Sequence, residues 1–311
     1  MITGGAGFIG ANLARYLLEH SDLRVRILDD LSTGSLGNLD GLDVDFTEGT
    51  ILDIDAVRST ARAMDSIVHL GAIPSVPRSI ANPRASHEAN TTGTLNVLEA
   101  AREVGVEHVV VASSSSVYGS NPKLPKSEFD WTRPMSPYAV SKQATEGYAL
   151  AYQFSYGLKT LAFRFFNVYG PGQPANHAYA AVIPKFLDAA LHGRPLQIYG
   201  DGTQSRDFTY VDTVCAVIHR AILGQIHSVD PVNLAYGTNT TLLQLVEMME
   251  EQLGDPIDRD FTATRVGDVK ASQAESSRVR ELFPTVAPVP LHDGLAATID
   301  WFKSEVGDGH Q

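Results

Sequence analysis

The sequence reads as an α/β protein: a parallel sheet wound with helices on both faces, followed by a smaller, loop-rich domain. Three features carry that reading. Short β-branched runs alternate with amphipathic helical segments through the first half of the chain. A glycine triplet, Gly4, Gly7 and Gly10, sits between the first strand and the first helix. An aspartate, Asp29, closes the second strand about 20 residues later, the spacing expected of a dinucleotide fold.

The elements follow in order. A very short strand ends at Thr3, and a helix runs from about Phe8 to Glu19. R-V-R-I-L-D ends a strand at Asp29, and V-D-F leads a third to Glu48. A helix spans about Ile54 to Ala63, the strand S-I-V-H-L ends at Leu70, and a long helix runs from about Ser86 to Val104. E-H-V-V-V-A forms a strand ending at Ala112, a helix starts near Pro137, and K-T-L-A-F-R ends near Arg164. A full first strand needs about five residues before the glycine loop, yet only Met1 and Ile2 precede Thr3, so a weakened first strand is expected. After Asn167 Gly and Pro become frequent, and no internal repeat or low-complexity segment appears. The expected division is a dinucleotide-binding domain over 1–166, to which segments near 205–235 return, and a mainly substrate-binding domain over 167–311.

Composition narrows the partners. The chain has 311 residues, 43% of them hydrophobic and 19% charged, which suits a globular protein with a proper core. Its net charge of -12 argues against nucleic acid and anionic membrane as partners. It also means that a phosphate-bearing substrate needs local arginines. No apolar run approaches the roughly 20 residues of a membrane span, and no signal peptide precedes the glycine loop. The one cysteine, Cys215, lies in an apolar stretch and reads as a small core residue in a cytoplasmic chain.

The glycine loop lets a backbone approach a pyrophosphate closely, and the helix that follows supplies amides and positive dipole. A carboxylate at Asp29 accepts hydrogen bonds from a ribose diol and repels a 2'-phosphate, which favours NAD over NADP. The chemistry is carried by Tyr138 and Lys142, spaced Y-x-x-x-K downstream of the serine run Ser113 to Ser116. Positions i and i+4 share a helix face. A free tyrosine has a pKa near 10, too high for a base at neutral pH. An adjacent ammonium and a positive nicotinamide ring both favour phenolate. Y-x-x-x-K alone is common by chance and by itself would read as a surface pair. Here it opens a helix in the context S-P-Y-A-V-S-K, behind a strand whose carboxyl end holds the serines. Carboxyl ends of strands are where such folds bind ligands.

The motifs T-G-G-A-G-F-I-G, L-D-D-L-S-T-G, V-H-L-G-A, N-T-T-G-T, S-S-S-S-V-Y-G, S-P-Y-A-V-S-K, R-F-F-N-V-Y-G-P-G-Q, G-D-G-T-Q-S-R-D-F-T-Y-V-D and R-V-G-D-V span nearly the whole chain in order. With them the sequence resembles the extended short-chain dehydrogenase/reductase family, specifically its NAD-dependent UDP-sugar 4-epimerases. The resemblance implies a Rossmann-type sheet and a cytoplasmic isomerase, a homodimer through the helices near 86–104 and 137–155, with no metal. It implies Tyr138 as base, Lys142 as the residue that holds ribose and tunes the tyrosine, and Ser114 as relay. Gly4, Gly7, Phe8, Ile9 and Gly10 would surround the pyrophosphate; Asp29 and Asp30, with Ser32, Thr33 and Gly34 nearby, the adenosine ribose. Ile51, Leu70, Gly71, Ala72, Asn90, Ala112 and Phe165 would line the cofactor together with Tyr138 and Lys142. The substrate would meet Ser114, Ser115, Tyr138, Asn167, Val182, Tyr199, Arg206, Arg265, Asp268 and Ser272, the two arginines supplying charge for a diphosphate. Three positions depart from the family pattern: Thr50 stands where an aspartate usually touches adenine, Gly71 where alanine is commoner, and the first strand is short.

Related dehydratases carry Asp and Glu directly after the relay hydroxyl, and related decarboxylases a glutamate two places after it. Ser115 and Ser116 occupy those places here, so oxidation and re-reduction without elimination is the better reading. The base would take the 4-hydroxyl proton while hydride passes to NAD; the 4-keto sugar would turn and take hydride back on its other face. Family members that exclude N-acetyl sugars carry a bulky aromatic at the place of Ser272. Serine there, with S-V-P-R-S and A-Y-A-A-V-I-P-K, favours an N-acetylhexosamine, with UDP-glucose and UDP-glucuronic acid as alternatives. The alternative reading of Ser272 is an exposed loop serine with no gating role. A nucleotide-sugar dehydratase or reductase is the second enzyme reading, marked by a stable 4-keto product or net NADH consumption. A non-catalytic NAD sensor is the third, although such proteins typically lose the tyrosine or lysine that both stand here.

Overall fold

The computed structural model describes residues 1–175, 180–264 and 270–308. Its centre is a seven-stranded sheet in the order β3-β2-β1-β4-β5-β6-β11, every neighbouring pair parallel. The strands are β1 (Ile2–Thr3), β2 (Arg26–Asp29), β3 (Asp45–Glu48), β4 (Ser66–His69), β5 (His108–Ser114), β6 (Lys159–Phe165) and, after four further short strands, β11 (Val232–Leu234). Those four are β7 (Val168–Tyr169), β8 (Leu196–Tyr199), β9 (Ser205–Arg206) and β10 (Thr209–Tyr210). With β12 (Thr240–Thr241) and β13 (Arg259–Thr262), they form the pairs β7–β10, β9–β12 and β8–β13. The order reverses between β1 and β4, so the crevice at their carboxyl ends is the topological switch point where ligands bind.

Side chains on successive strand residues point to opposite faces, and the core divides accordingly. Ile27, Val68, Val110, Leu161 and Phe163 pack on one face against α1 (Phe8–His20) and α8 (Val211–Gly224). Leu28, Ile67, Val109, Val111 and Ala162 pack on the other against α2 (Ile54–Ala61), α5 (Gly93–Val104) and α6 (Pro137–Tyr156). Each fully buried aliphatic of this kind contributes about 1.5–3 kcal/mol, which is why the strands read as continuous apolar runs. Cys215 lies in α8, fully buried, its thiol pushed up by burial. It is a core residue, as its apolar context suggests.

The first strand is as short as the sequence implies. Ile2 and Thr3 pair with Ile27 and Leu28 on one side and Val68 and His69 on the other. The amino group of Met1 is buried, donates to the Ser66 carbonyl at 2.8 Å, and is pushed down to about 5 by that burial.

The long helix expected over 86–104 differs in detail. Residues 76–104 run as α3 (Val76–Ala81), α4 (Pro83–His87), one π-helical turn (Glu88–Thr92) and α5. A π turn shifts the register of a helix by one residue and is frequent at functional sites. Here it seats Asn90, 1% exposed, with its amide turned to the loop after β4: Oδ1 accepts the Ile73 N–H at 2.7 Å and Nδ2 donates to the Ile73 carbonyl at 3.1 Å. The remaining helices are α7 (Val182–Leu191), α9 (Leu242–Leu253), α10 (Ser277–Leu282) and α11 (Leu291–Asp308). Among the described residues, no helix is long and apolar enough to cross a membrane.

Candidate active site

The loop from β1 to α1 is built for an anion. Gly4 has φ +70°, and a Cβ there would come within 2.7 Å of the Gly71 amide nitrogen. A Cβ on Gly10 would collide with the Gly4 carbonyl. The glycines therefore let two loops and a helix close on one another. Gly7 is the N-cap of α1 and brings no side-chain cap, and no acidic residue stands in the first turn. The first amides of α1, at Phe8 and Ile9, are left to a ligand's oxygens. Asp29 sits at the end of β2, 7% exposed. Its Oδ2 accepts the Ala6 N–H at 2.9 Å and its Oδ1 the Leu31 N–H at 2.8 Å. The carboxylate thus braces the glycine loop as well, and each oxygen keeps a second lone pair for a ribose hydroxyl. Asp30 is exposed and accepts the Ser32 N–H at 3.0 Å. These groups fit a pyridine dinucleotide: a phosphate cradle that any side chain would fill, and a carboxylate one strand away.

Strand alternation separates the serine run. Ser113 turns into the protein and donates to Glu146 at 2.6 Å. Ser114, the last residue of β5, accepts from the Ser116 hydroxyl at 2.9 Å and from the Ser116 amide at 3.2 Å. With both lone pairs engaged, its own proton is free to point toward Tyr138, where it would favour the phenolate. Ser116 therefore orients the Ser114 hydroxyl, a contact that a run of four identical residues hides.

Tyr138 lies in the first turn of α6. Ser136 caps that helix by accepting the Ala139 N–H at 3.1 Å, and Pro137 occupies the first position. Lys142 follows one turn later, 6% exposed, its ammonium donating to the Ala112 carbonyl at 2.9 Å. Burial pushes Lys142 down to about 8. The Y-x-x-x-K spacing implies that this ammonium, with a nicotinamide ring, holds Tyr138 as phenolate. The structure shows the opposite direction: burial raises Tyr138, and the Ser114 hydrogen bond is what opposes it. The physical reason is desolvation of the phenolate in a pocket where the ammonium is turned to a carbonyl instead.

The substrate-side residues converge through Asp207. Fully buried, it accepts from the Gly237 amide at 3.0 Å, the Thr238 hydroxyl at 2.8 Å and the Ala274 amide at 3.0 Å. Burial raises its carboxyl, and these bonds oppose the rise. Its carbonyl takes the Asn167 side-chain amide at 3.0 Å. Asn167 has φ +30°, a left-handed conformation that costs a non-glycine residue about 1–3 kcal/mol and is concentrated at functional sites. Arg206 precedes Asp207 on β9, and the Ser272 amide donates to the Ser205 carbonyl at 3.1 Å. Asp207 thus joins several segments: its carboxylate holds the 237–238 turn and Ala274, and its carbonyl holds Asn167, while Ser272 is tied to the neighbouring Ser205. Tyr199 ends β8 and Val182 opens α7. Arg265 and Asp268 lie outside the described residues. Among the described residues, no group of three or more His, Cys, Asp or Glu side chains is placed to hold a metal ion.

Fold and site together define a nicotinamide-dependent enzyme of the doubly wound class, acting at a hydroxyl-bearing carbon. The chain belongs to the NAD dependent epimerase/dehydratase family, whose model matches residues 1–235. It is 36% identical to the UDP-glucose 4-epimerase of Mycolicibacterium smegmatis, over 98% of each chain. It is 31% identical to the UDP-glucuronate 4-epimerase of Thermodesulfobacterium geofontis, over 98% of this chain and 96% of that protein. Among solved structures it resembles the UDP-N-acetylglucosamine 4-epimerase from Methanobrevibacter ruminantium in complex with UDP-N-acetylmuramic acid. That likeness has a TM-score of 0.92 at 35% identity, covering 98% of this chain and 97% of the other. The expected NAD dependence and Rossmann-type sheet are borne out.

Proposed function

We propose that this chain is an isomerase that inverts carbon 4 of a UDP-hexose through a transient 4-keto sugar, with an N-acetylhexosamine as preferred sugar. The observation that carries this reading is that Ser114 ends β5 beside the turn of α6 bearing Tyr138 and Lys142, with Lys142 bonded to the Ala112 carbonyl two residues before Ser114, and is followed by Ser115 and Ser116 rather than carboxylates. Bound NAD supplies an acceptor and returning donor for the hydrogen on the sugar carbon. Tyr138 Oη, through Ser114 or directly, takes the 4-hydroxyl proton and later gives it back. Lys142 steadies the ribose and the tyrosine. Asn167 and Arg206, with Arg265 and Asp268, hold the nucleotide end while the keto sugar turns. No carboxylate stands beside Ser114 in the run to draw a second proton, which favours epimerisation over elimination. We also propose the division into a dinucleotide domain over 1–166, joined by later segments such as β11, and a substrate domain over the rest.

The sugar preference has a direct test. UDP-N-acetylglucosamine should be turned over with a kcat/KM at or above that of UDP-glucose and UDP-glucuronic acid. Ser272→Tyr should lower kcat/KM for the N-acetyl sugar by about 10–200-fold more than for UDP-glucose, the range one pocket contact commands. Equal losses on both sugars would remove Ser272 as the gate, and accumulation of a stable 4-keto product would favour the dehydratase reading.

A homodimer is the proposed assembly. Val140, Leu150 and Phe154 are 54%, 36% and 72% exposed, and with Gly147 they share one face of α6. Such an apolar stripe on a solvent-facing helix suits a second copy of the chain. Light scattering should give twice the 33.6 kDa chain mass, and a monomer mass at micromolar concentration would refute it. A cytoplasmic setting is proposed as well, checked by cell fractionation.

A further inference from the structure

Beneath the cofactor crevice lies a buried imidazole that the proposed reaction does not use. His69 ends β4 and is 3% exposed. Its Nδ1 is 2.7 Å from the Thr3 hydroxyl, at the root of the glycine loop, and its Nε2 is 3.1 Å from the Thr94 hydroxyl on α5. The protons of this chain can be placed from its partners. Thr94 donates its single proton to the Asn90 carbonyl at 2.6 Å, so toward His69 it can only accept. Nε2 therefore carries the hydrogen. Nδ1 is then an acceptor, and the Thr3 hydroxyl donates to it. Thr3 in turn accepts the Gly71 N–H at 3.2 Å. A doubly protonated ring would leave the Thr3 proton without its partner and place a second charge near the buried Lys142. Burial and the Lys142 ammonium keep the ring neutral, pushing it down to about 3.

Both ends of this chain meet the active site. At one end Gly71 is the loop wall against which Gly4 closes. At the other, Thr94 lies 3.1 Å from Thr145 of α6, whose hydroxyl donates back along the helix to the Ser141 carbonyl at 3.2 Å. The Asn90 side-chain amide donates to Ser141 Oγ at 3.0 Å, and Ser141 donates to the Tyr138 carbonyl at 2.8 Å. One imidazole thus spans the gap between the wall of the cofactor crevice and the helical turn that bears Tyr138 and Lys142.

We propose that His69 is a positioning residue: a neutral imidazole, protonated on Nε2, that fixes the spacing between the glycine-loop wall and the catalytic turn of α6. This rests on the crevice holding NAD but not on which sugar is turned over. The first test needs no substrate. In the NAD-loaded protein with 15N-labelled histidine, the resonances missing from a His69→Gln sample belong to His69. They should show a hydrogen on Nε2 and a bare Nδ1 at every pH from about 5 to 8. A hydrogen on Nδ1, or a titration midpoint above pH 5, would overturn the proposal.

The second test separates positioning from support. His69→Leu should lower kcat by about 100-fold, the scale of a misplacement near 1 Å. KM for the UDP-sugar should stay within about threefold, because Asn167 and Arg206 stand on other segments, after β6 and on β9. His69→Gln, which keeps a polar group toward Thr94, should recover about tenfold of the loss. A folded His69→Leu protein with wild-type kcat would sink the idea. Should neither variant fold, the imidazole measurement on the unaltered protein still decides it, with the His69 resonances assigned by through-bond connectivity along the backbone of that protein.

Discussion

Tyr138→Phe is expected to lower kcat by about 10²–10⁴-fold, the range for removal of a general acid–base group, with NAD binding and folding unchanged. The substitution deletes one oxygen at the end of a half-buried ring and leaves the helix intact. Ser114 then faces a ring edge and has nothing to hand its proton to. The size of the loss follows from what the pocket does to the phenol. Burial raises Tyr138, so a proton leaves it only when positive charge is brought near. The nicotinamide ring of bound NAD would bring such charge, and the Lys142 ammonium, turned to the Ala112 carbonyl, would add to it only while protonated; its own value is pushed down to about 8. Below that pH the ammonium is present; above it the ammonium is lost and with it the support for the phenolate. Wild-type kcat should therefore fall on the alkaline side of about pH 8. Turnover by the variant within threefold of wild type, measured on UDP-N-acetylglucosamine and UDP-glucose alike, would refute the assignment of the base.

What could be read from the sequence was local. The glycine triplet, Asp29 and the Y-x-x-x-K pair each lie within one turn or one strand–helix unit, where spacing alone fixes which groups meet. The parallel sheet was legible because both faces of its strands are buried, as at Ile27 and Leu28, so the residues read as unbroken apolar runs. The π turn at Asn90 was not legible, since one extra residue in a helical turn leaves the apolar spacing of 86–104 nearly unchanged. His69 and Asp207 were hidden for another reason. Their partners are far away in sequence: Thr3 and Thr94 for the first, Gly237, Thr238 and Ala274 for the second. Nothing local distinguishes a buried, fully bonded histidine from a surface one. V-H-L-G-A and R-D-F-T-Y-V-D singled out both segments, yet gave no sign of which side chain held which loop. The direction taken by the Lys142 ammonium was hidden for a related cause. An i, i+4 spacing puts two groups on one face but does not say where a flexible ammonium will turn.

The second large effect concerns stability. Glu146 lies one turn beyond Lys142 on α6, and Arg164 lies on β6; both are nearly buried and joined by two bonds of 2.8 and 2.9 Å. Arg164 also stands 4.7 Å from the centre of the Tyr118 ring and donates to the Glu128 carbonyl at 3.3 Å. Ser113 adds its hydroxyl to the same carboxylate. The cluster clamps α6, which bears Tyr138 and Lys142, to the strands that carry Ser113, Ser114 and Arg164. Arg164→Met fills most of the volume but leaves the Glu146 carboxylate buried with Ser113 alone, which should cost about 3–5 kcal/mol. For a chain of this size that lowers Tm by on the order of 10 °C. The double variant Arg164→Met/Glu146→Leu removes the stranded charge as well, and should regain most of the loss, because desolvating two ions offsets much of what their attraction returns. Turnover should not recover with it. Ser113 would then lack its carboxylate, and the register between β5 and α6 that sets Ser114 against Tyr138 would rest on apolar packing alone. A double variant that restores both Tm and kcat would show the ion pair to be dispensable for geometry, and one no more stable than Arg164→Met would show that the charge left behind is not what destabilises it.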